Sequence, residues 1–149
     1  MAYKGKFTPK NPNKYKGNYT RIIYRSLWEK KIMHWCDTNN QIIEWSSEEI
    51  SIPYLCPTDR KRHRYFPDFY IKTINNGAPK IQIIEVKPKK QTHPPKLTKR
   101  MSKRRVITES KAWAKNQAKW KAAVEYCKDR NWEFHIITEN HPLLKVYKR

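Results

Sequence analysis

The stretch "RYFPDFYI", residues 64–71, combines the composition of a buried strand with two residues that such a strand avoids. Its aromatic and aliphatic side chains favour a β-strand. Pro67 lacks the N–H that a strand ladder needs, and Asp68 carries a carboxylate that is costly to bury without a partner. The sequence therefore predicts a specific role for Asp68 at this point of the sheet.

A β-hairpin over residues 70–87 supplies the partner for this carboxylate. It runs from "YIKTI" through the turn-rich "NNGAP" to "KIQIIEVK". Glu85 and Lys87 are two residues apart and therefore share one face of the second strand. If Asp68 lies opposite either of them, three ionisable groups meet at the end of two adjacent strands. A slip by one residue would turn Asp68 to the other face, so the sequence favours this meeting without proving it.

Two carboxylates held this close repel each other unless a cation lies between them. Oxygen ligands suit Mg²⁺, with Mn²⁺ as the alternative. Such an ion polarises phosphate oxygens and activates a water, as phosphodiester hydrolysis requires, and Lys87 is close enough to orient that water or help to deprotonate it. Taken separately, "PD" and "EVK" are also typical of strand ends with a surface salt bridge. Their order, with a hairpin between them, favours a metal site.

The charge of the chain indicates an anionic partner. Lys and Arg number 33 against 13 Asp and Glu, which gives a formal net charge of +20 over 149 residues. Six Trp, nine Tyr and four Phe indicate a packed domain rather than a disordered basic tail. Solubility alone needs a net charge of only about 2–8, so the sequence predicts nucleic acid as the partner. Neither a long apolar membrane segment nor the apolar region of a secretory signal is visible.

The cysteines and histidines suggest no metal site from their spacing. Cys36, Cys56 and Cys127 are far apart, and they fit neither a disulfide framework nor a zinc knuckle. The five His show no spacing that is typical of metal ligands. We therefore predict buried, reduced thiols.

The chain is predicted to consist of an extended basic arm over residues 1–20 and a single domain over residues 21–149. A stretch rich in Pro, Lys and Arg predicts a basic loop at residues 88–106 of that domain. Helical periodicity predicts helices from Ser26 to about Asn39 and from about Thr108 to Asp129. Further short strands are predicted near residues 41–45, 49–55 and 132–138. The order of these elements predicts an α/β fold with a mixed central sheet flanked by helices.

"PD" followed by "EVK" resembles the PD-(D/E)XK nuclease superfamily, which includes restriction endonucleases and the TnsA-like transposon endonucleases. The likeness is closer to one branch, the head-completion nucleases of T-even-type tailed phages, in "AYKGKF", "YRSLWEKK", "IIEW", "RYFPDFYI", "IIEVKPKK" and "KWKAA". The resemblance implies a restriction-endonuclease-like core and a Mg²⁺-dependent DNA endonuclease. It also implies action on packaged double-stranded DNA during phage head completion, in the host cytoplasm or the virion, with head or portal-vertex proteins as partners.

The resemblance also implies roles for individual residues. Asp68 and Glu85 would bind the metal, with the Val86 carbonyl as a further ligand, and Lys87 would be the catalytic lysine. An extra catalytic acid often comes from the first helix in this superfamily, and Glu29 is the matching position. The same glutamate also completes the capping box "SLWE", in which it folds back onto the N-cap amide, so both roles stay open.

Basic residues on both sides of this site are predicted to bind DNA phosphates, because their spacing suggests no code for reading bases. They are Arg60, Lys61, Arg62, Arg64, Lys89, Lys90, Lys96, Lys99, Arg100, Lys103, Arg104 and Arg105. Lys111, Lys115 and Lys119 either extend this surface or form an ordinary solvated helix face. Two other functions stay open: a structural DNA-binding head protein that has lost catalysis, and a junction-specific resolvase of the same superfamily.

Overall fold

Residues 4–142 are described by a computed structural model, and they form two α-helices and eight β-strands. The helices are α1 (Leu27–Thr38) and α2 (Lys103–Asp129). The strands are β1 (Gly5–Lys6), β2 (Ile23–Tyr24), β3 (Ile42–Ser47), β4 (Ile52–Leu55), β5 (Arg62–Tyr65), β6 (Phe69–Asn75), β7 (Ala78–Val86) and β8 (Glu133–Ile137). Residues 1–3 of the predicted arm and residues 143–149 of the predicted domain lie outside the described residues.

The central sheet has the strand order β3-β6-β7-β8. β6 is antiparallel to both β3 and β7, whereas β8 is parallel to β7, and α2 forms the crossover between these last two strands. β4 pairs with β5, and β1 with β2, in two small antiparallel pairs. The mixed α/β architecture agrees with the prediction from the sequence. No helix within residues 4–142 combines the length and the apolar composition that crossing a membrane would require.

The hairpin between β6 and β7 confirms the predicted turn. Asn76 and Gly77 form its two-residue loop with φ values of 54° and 79°, the left-handed geometry that a tight hairpin favours and that Asn-Gly adopts readily. At the other end of the hairpin Phe69 pairs with Ile84. This register brings Asp68, the residue before Phe69, next to Glu85, which follows Ile84.

Alternate residues of the hairpin pack on opposite sides of the sheet. Phe69 and Ile84 belong to a core cluster that includes Ile32 and Met33 of α1. Tyr70 and Ile83 pack on the other side, in a cluster with Cys127 of α2. A third cluster joins α2 to the β4–β5 pair: Ile52, Tyr54, Cys56, Tyr65, Trp120 and Ala123. The end of β6 and β7 that carries Asp68 and Glu85 is therefore bordered by elements from both layers.

The stretch "RYFPDFYI" is two strands rather than one, which corrects our interpretation of it as a single strand. Tyr65 ends β5, Phe69 begins β6, and the intervening residues 66–68 belong to neither strand. Pro67, which lacks a backbone donor, is fully buried at this crossing from the β4–β5 pair to the central sheet. β5 itself was missed, because Arg62, His63 and Arg64 are exposed and look like a charged loop.

The second helix begins at Lys103 rather than near Thr108, so the irregular part of the predicted loop 88–106 ends at Ser102. The Ser102 hydroxyl accepts a hydrogen bond of 3.1 Å from the Arg105 N–H and caps the helix. The sequence hid this start because the first turn contains no acidic residue. A short 3-10 turn, Lys89–Thr92, interrupts the loop near its beginning.

The described part of the predicted N-terminal arm contributes to the core. Phe7 and Tyr15 are buried, and their rings meet the Trp45 ring edge-to-face with centroids 5.9 Å and 4.8 Å away. The short β1–β2 pair and two 3-10 turns, Pro12–Lys14 and Tyr19–Arg21, connect these contacts. The sequence of this segment has no periodicity and therefore did not indicate that Phe7 and Tyr15 pack individually into the core.

Candidate active site

Asp68 is held against the end of β7 by its side chain. Its Oδ2 atom accepts a hydrogen bond of 2.8 Å from the Val86 N–H. Its backbone carbonyl accepts a second bond, of 3.2 Å, from the Glu48 N–H. Burial raises the pKa of the Asp68 carboxyl well above its ordinary value, and the negative charges of Glu85 and Glu29 raise it further.

Glu85 is a buried carboxylate with two partners. Its Oε1 atom accepts a hydrogen bond of 2.7 Å from the Tyr65 hydroxyl, and its Oε2 atom lies 3.6 Å from Lys87 Nζ. Burial raises the pKa of Glu85, while the Tyr65 hydroxyl and the Lys87 charge oppose that rise. The structure thus brings Asp68, Glu85 and Lys87 together on the α2 side of the sheet end, as the shared-face argument predicted.

Glu29 combines a capping contact with proximity to the acidic residues. The Ser26 hydroxyl accepts a hydrogen bond of 3.2 Å from the Glu29 N–H and caps α1. The Glu29 carboxylate accepts a bond of 3.3 Å from the Arg25 N–H, one residue before the amide that a strict capping box uses. Burial raises the pKa of Glu29, and the charges of Glu48 and Glu85 add to the rise. The capping role therefore has hydrogen bonds in the structure, whereas the catalytic role of Glu29 stays a prediction that its proximity to the charge of Glu85 favours.

Glu48 is an acidic neighbour that the sequence analysis missed. It follows β3 with a φ of 55°, a left-handed conformation that is uncommon for a residue other than glycine. The Arg25 Nε atom lies 3.2 Å from its Oε1 atom. No spacing rule singles this glutamate out of "SSEE", because its approach to Glu29 depends on how β3 meets the start of α1.

Tyr65 and Lys119 also reach this end of the sheet, and neither was predicted as a site residue. Lys119 Nζ lies 5.8 Å from the centroid of the Tyr65 ring. Burial lowers the pKa of Lys119, and repulsion from the Lys87 charge lowers it further. Of the three lysines left open on the second helix, this one approaches Glu85. Its sequence pattern carries no such signal, because β5 and α2 meet only in the folded chain.

The donor set fits a hard divalent cation. Glu29, Asp68 and Glu85 offer carboxylate oxygens, and each has its pKa raised by burial, with like charges adding to the rise for Glu29 and Asp68. A cation between Asp68 and Glu85 would relieve the repulsion between these two carboxylates, and Mg²⁺ prefers oxygen ligands of this kind. Val86 enters the site through its N–H; its carbonyl as a metal ligand stays a prediction.

The predicted DNA-binding residues fall into two surfaces. Residues 60–64 belong to the β4–β5 hairpin, where the four basic side chains are exposed. The remaining residues lie between Lys89 and Arg105. A cleft of about 920 Å³ separates the beginning of this segment from α2, and Lys89, Lys90, Lys96 and Arg105 are among its lining residues. The Arg105 guanidinium lies 2.7 Å from the Glu109 carboxylate, so it is already paired within α2.

Comparisons with known proteins point to one family. Residues 39–139 match the family described as TnsA-like endonuclease N terminal. The head completion nuclease of Enterobacteria phage T4 is 42% identical over 143 residues, an alignment that covers 94% of this chain and 93% of that protein. Among solved structures, no match was found. The domain of the matched family has a restriction-endonuclease-like fold, which confirms the predicted fold class.

Proposed function

The chain belongs to the TnsA-like endonuclease family, and from that premise we propose that it is a Mg²⁺-dependent endodeoxyribonuclease that cleaves double-stranded DNA. The observation that carries the proposal is the meeting of Asp68, Glu85 and Lys87 at one end of the β6–β7 hairpin. A buried and a half-buried carboxylate beside a lysine are the groups that metal-assisted phosphodiester hydrolysis needs.

Asp68 and Glu85, with the Val86 carbonyl, would hold the Mg²⁺ ion, or Mn²⁺ in its place. When bound, the ion would polarise a phosphate oxygen and lower the pKa of a coordinated water. Glu29 extends the carboxylate cluster from the first turn of α1 and would act as a further acidic group beside the metal. Its bond to the Arg25 N–H fixes the direction of its side chain at the same time.

Lys87 is the residue proposed to act on the water. Its ammonium group lies 3.6 Å from Glu85 Oε2, which keeps it at the edge of the carboxylate cluster. From there it can donate a hydrogen bond that orients the attacking water, and its positive charge helps deprotonation by favouring the hydroxide form of that water. Tyr65 supports this arrangement, because its hydroxyl holds the other oxygen of Glu85 at 2.7 Å. Lys119 would add a second positive charge near the scissile phosphate.

The two basic surfaces would bind the DNA backbone on either side of the cleavage site. The first turn of α2 supports this role. It carries Lys103, Arg104 and Arg105 at a helix N-terminus, where the helix dipole disfavours cations. A phosphate bound there would be attracted by both the side chains and the dipole, which would offset that repulsion.

The proposed biological role rests on the similarity to the head completion nuclease of Enterobacteria phage T4. We propose that the protein acts on packaged DNA during phage head completion, in the host cytoplasm during assembly, with head or portal-vertex proteins as partners. Retention of the full acidic and basic set counts against a purely structural DNA-binding role. A junction-specific resolvase is the other alternative, and it is distinguished by substrate.

The proposal is tested by incubating purified protein with plasmid, linear duplex, four-way junction and single-stranded DNA, with and without Mg²⁺. We expect Mg²⁺-dependent cleavage of the duplexes and loss of cleavage in Lys87→Ala. Lys80→Ala is the matched control, because it removes a lysine from the far end of β7, the strand that Lys87 follows, where Lys80 pairs with Glu133 at 3.3 Å. Cleavage of junctions alone would favour the resolvase. DNA binding without any cleavage would favour the structural protein.

The DNA path is tested by the salt dependence of binding in Ca²⁺. Each lost phosphate contact should flatten the slope of log affinity against log salt by about 0.9. Lys96, Lys99, Arg100, Lys103 and Arg104 replaced together by Ala should therefore flatten it by roughly three to five units. Arg105 is left unchanged because it pairs with Glu109. An unchanged slope would mean that the segment before α2 lies away from the DNA.

A further inference from the structure

The turn between β4 and β5 brings a thiol, a carboxylate and an imidazole together. This group is separate from the carboxylates of Glu29, Asp68 and Glu85. The Cys56 Sγ atom, a carboxylate oxygen of Asp59 and a ring nitrogen of His63 all lie within 4.8 Å of one another. Ligand atoms in a tetrahedral zinc site are about 3.3–3.8 Å apart, for zinc–ligand bonds of about 2.0–2.3 Å. The three side chains could therefore reach one ion through small rotations.

The backbone of this turn holds the sulfur in place. The Cys56 N–H donates to the Lys61 carbonyl at 2.9 Å, and the Arg60 N–H donates to the Cys56 carbonyl at 2.8 Å. Arg60 closes the turn in a left-handed conformation with a φ of 59°. The Thr58 hydroxyl lies 3.2 Å from the Cys56 sulfur and can donate a hydrogen bond to it. Such a donor suits a thiolate, the form in which cysteine binds metal.

The carboxylate and the imidazole are oriented as well. Asp59 Oδ1 accepts a hydrogen bond of 2.9 Å from the Lys61 N–H, which turns Oδ2 toward His63 Nε2 at 2.7 Å. His63 is fixed by strand pairing, because it lies opposite Tyr54 in the β4–β5 register. Outer contacts of this kind orient metal ligands in known sites.

We propose that this turn is a zinc site, with Cys56, Asp59 and His63 as protein ligands and water in the fourth position. Sulfur and nitrogen donors favour Zn²⁺, whereas the oxygen-only cluster around Asp68 and Glu85 favours Mg²⁺. The two sites therefore select different ions. No spacing pattern predicted this site, because one cysteine and one histidine in "CPTDRKRH" match no common zinc spacing.

An ion in this turn would act on the rest of the molecule through β5. Cys56 is buried in the cluster that includes Trp120 and Ala123 of α2, so the ion would tie the exposed turn to the core. β5 leads from His63 to Tyr65, whose hydroxyl holds Glu85. The same strand carries the exposed Arg62 and Arg64. Zinc would therefore hold a basic hairpin in a defined position beside the proposed nuclease site.

A surface histidine beside a carboxylate does not require a metal, and the chain contains a matched pair that shows this. His135 Nε2 lies 2.8 Å from Glu133 Oε1 on β8. The side chains of His135 and Glu133 are 48% and 45% exposed, and those of His63 and Asp59 are 43% and 42% exposed. The three cysteines are all buried and free, so Cys127 provides the corresponding thiol control. Only the β4–β5 turn combines all three ligand types within the part of the chain that the structure describes.

The test is metal binding by the full-length protein after treatment with a chelator. We expect one equivalent of Zn²⁺ in competition with a chromophoric chelator, and a thiolate-to-cobalt charge-transfer band when Co²⁺ is used. Cys56→Ser should abolish the band, and His63→Gln should weaken Zn²⁺ binding by at least about tenfold. Cys127→Ser and His135→Gln should behave as the wild type. Zn²⁺ should also raise the melting temperature of the wild type and His135→Gln more than that of His63→Gln.

Three results would overturn the proposal. The first is a charge-transfer band that survives in Cys56→Ser. The second is Zn²⁺ affinity that is unchanged in His63→Gln, whose exposed side chain should leave folding intact even if Cys56→Ser does not fold. The third is displacement of Zn²⁺ by excess Mg²⁺ together with its loss in Asp68→Asn, which would assign the ion to the carboxylate cluster. None of these readouts depends on nuclease activity.

Discussion

The two ends of the β6–β7 hairpin are built on opposite principles. At the turn end, Asn76 and Gly77 adopt left-handed conformations that their residue types favour, and they are exposed. At the other end, Glu85 is buried and Asp68 is half-buried beside it, and burial raises the pKa of both. Local backbone preferences stabilise the turn end, whereas the surrounding fold holds the two carboxylates close together although burial and repulsion oppose their charged forms. Carboxylates with raised pKa values are typical of functional sites.

The contacts at the acidic end offset only part of this unfavourable energy. Asp68 receives the Val86 N–H, and Glu85 receives the Tyr65 hydroxyl and the nearby Lys87 charge. The pKa of each carboxyl remains raised despite these donors. The arrangement is thus better suited to a state with an added cation than to the metal-free protein.

Asp68→Asn should abolish Mg²⁺-dependent cleavage and stabilise the metal-free protein. Asparagine keeps an acceptor for the Val86 N–H but removes the charge that Glu85 and Glu29 repel. Because that repulsion is lost, we expect the free energy of unfolding in chelator to rise. Cleavage assays and urea denaturation in chelator measure the two effects. Cleavage near the wild-type level would remove Asp68 from the site, and lower stability would mean that its charge is well compensated.

Glu29→Gln should separate the metal-proximal role of this residue from its role as a cap. Glutamine can still accept the Arg25 N–H, so the cap contact and the melting temperature should change little. Its neutral amide is a poorer partner for a metal ion, so cleavage should fall by about tenfold or more. Glu125→Gln, on the exposed side of α2, is the control for loss of a glutamate. Full activity in Glu29→Gln would leave the residue as a cap alone.

The acidic end should also give the protein an unusual pH dependence. The pKa of Asp68 is raised in the folded state, so the folded protein takes up this proton at a higher pH than the unfolded chain does. Its contribution to stability is fully present below the unfolded pKa, near 3.9, and is lost as the pH rises through the folded value. Mild acidification from neutral pH should therefore favour folding through this group. Urea denaturation of the wild type against Asp68→Asn should show a smaller gain in the variant.

Glu29 and Glu85 also have raised pKa values, so the variant should keep part of this dependence. Identical pH profiles for wild type and Asp68→Asn would mean that Asp68 titrates in its ordinary range. Addition of Mg²⁺ at neutral pH should stabilise the wild type more than Asp68→Asn, because a bound cation replaces the missing proton.

The difference between the two ends also explains what could be predicted from the sequence. The Asn-Gly turn and the shared face of Glu85 and Lys87 depend on local rules, and both were predicted. β5 could not be predicted, because its pairing with β4 is what makes Arg62–Tyr65 a strand. Tyr65 and Lys119 were missed for the same reason: they approach Glu85 from elements that meet only in the folded chain.

Glu48 and the start of α2 show two further limits of sequence patterns. Glu48 reaches the site through a left-handed backbone that no residue preference indicates. Lys103 begins a helix with cations in its first turn, against the usual preference for acids there. Where a residue adopts a conformation or position that its type disfavours, the sequence pattern alone predicts the wrong structure. Such positions in this chain lie near the proposed catalytic and DNA-binding surfaces.

Gly77→Ala should have the smallest effect, confined to the turn end. An added Cβ atom would meet nothing within 4 Å, so the only penalty is the backbone conformation at a φ of 79°. We expect a loss of about 1 kcal/mol in the free energy of unfolding, measured by urea denaturation, and unchanged cleavage. Asn76→Gly is the control, because glycine accepts the φ of 54° without strain and should change stability by only a few tenths of a kcal/mol. If Gly77→Ala lost cleavage while remaining folded, the turn would be coupled to the acidic end, and the two ends of the hairpin would not be independent.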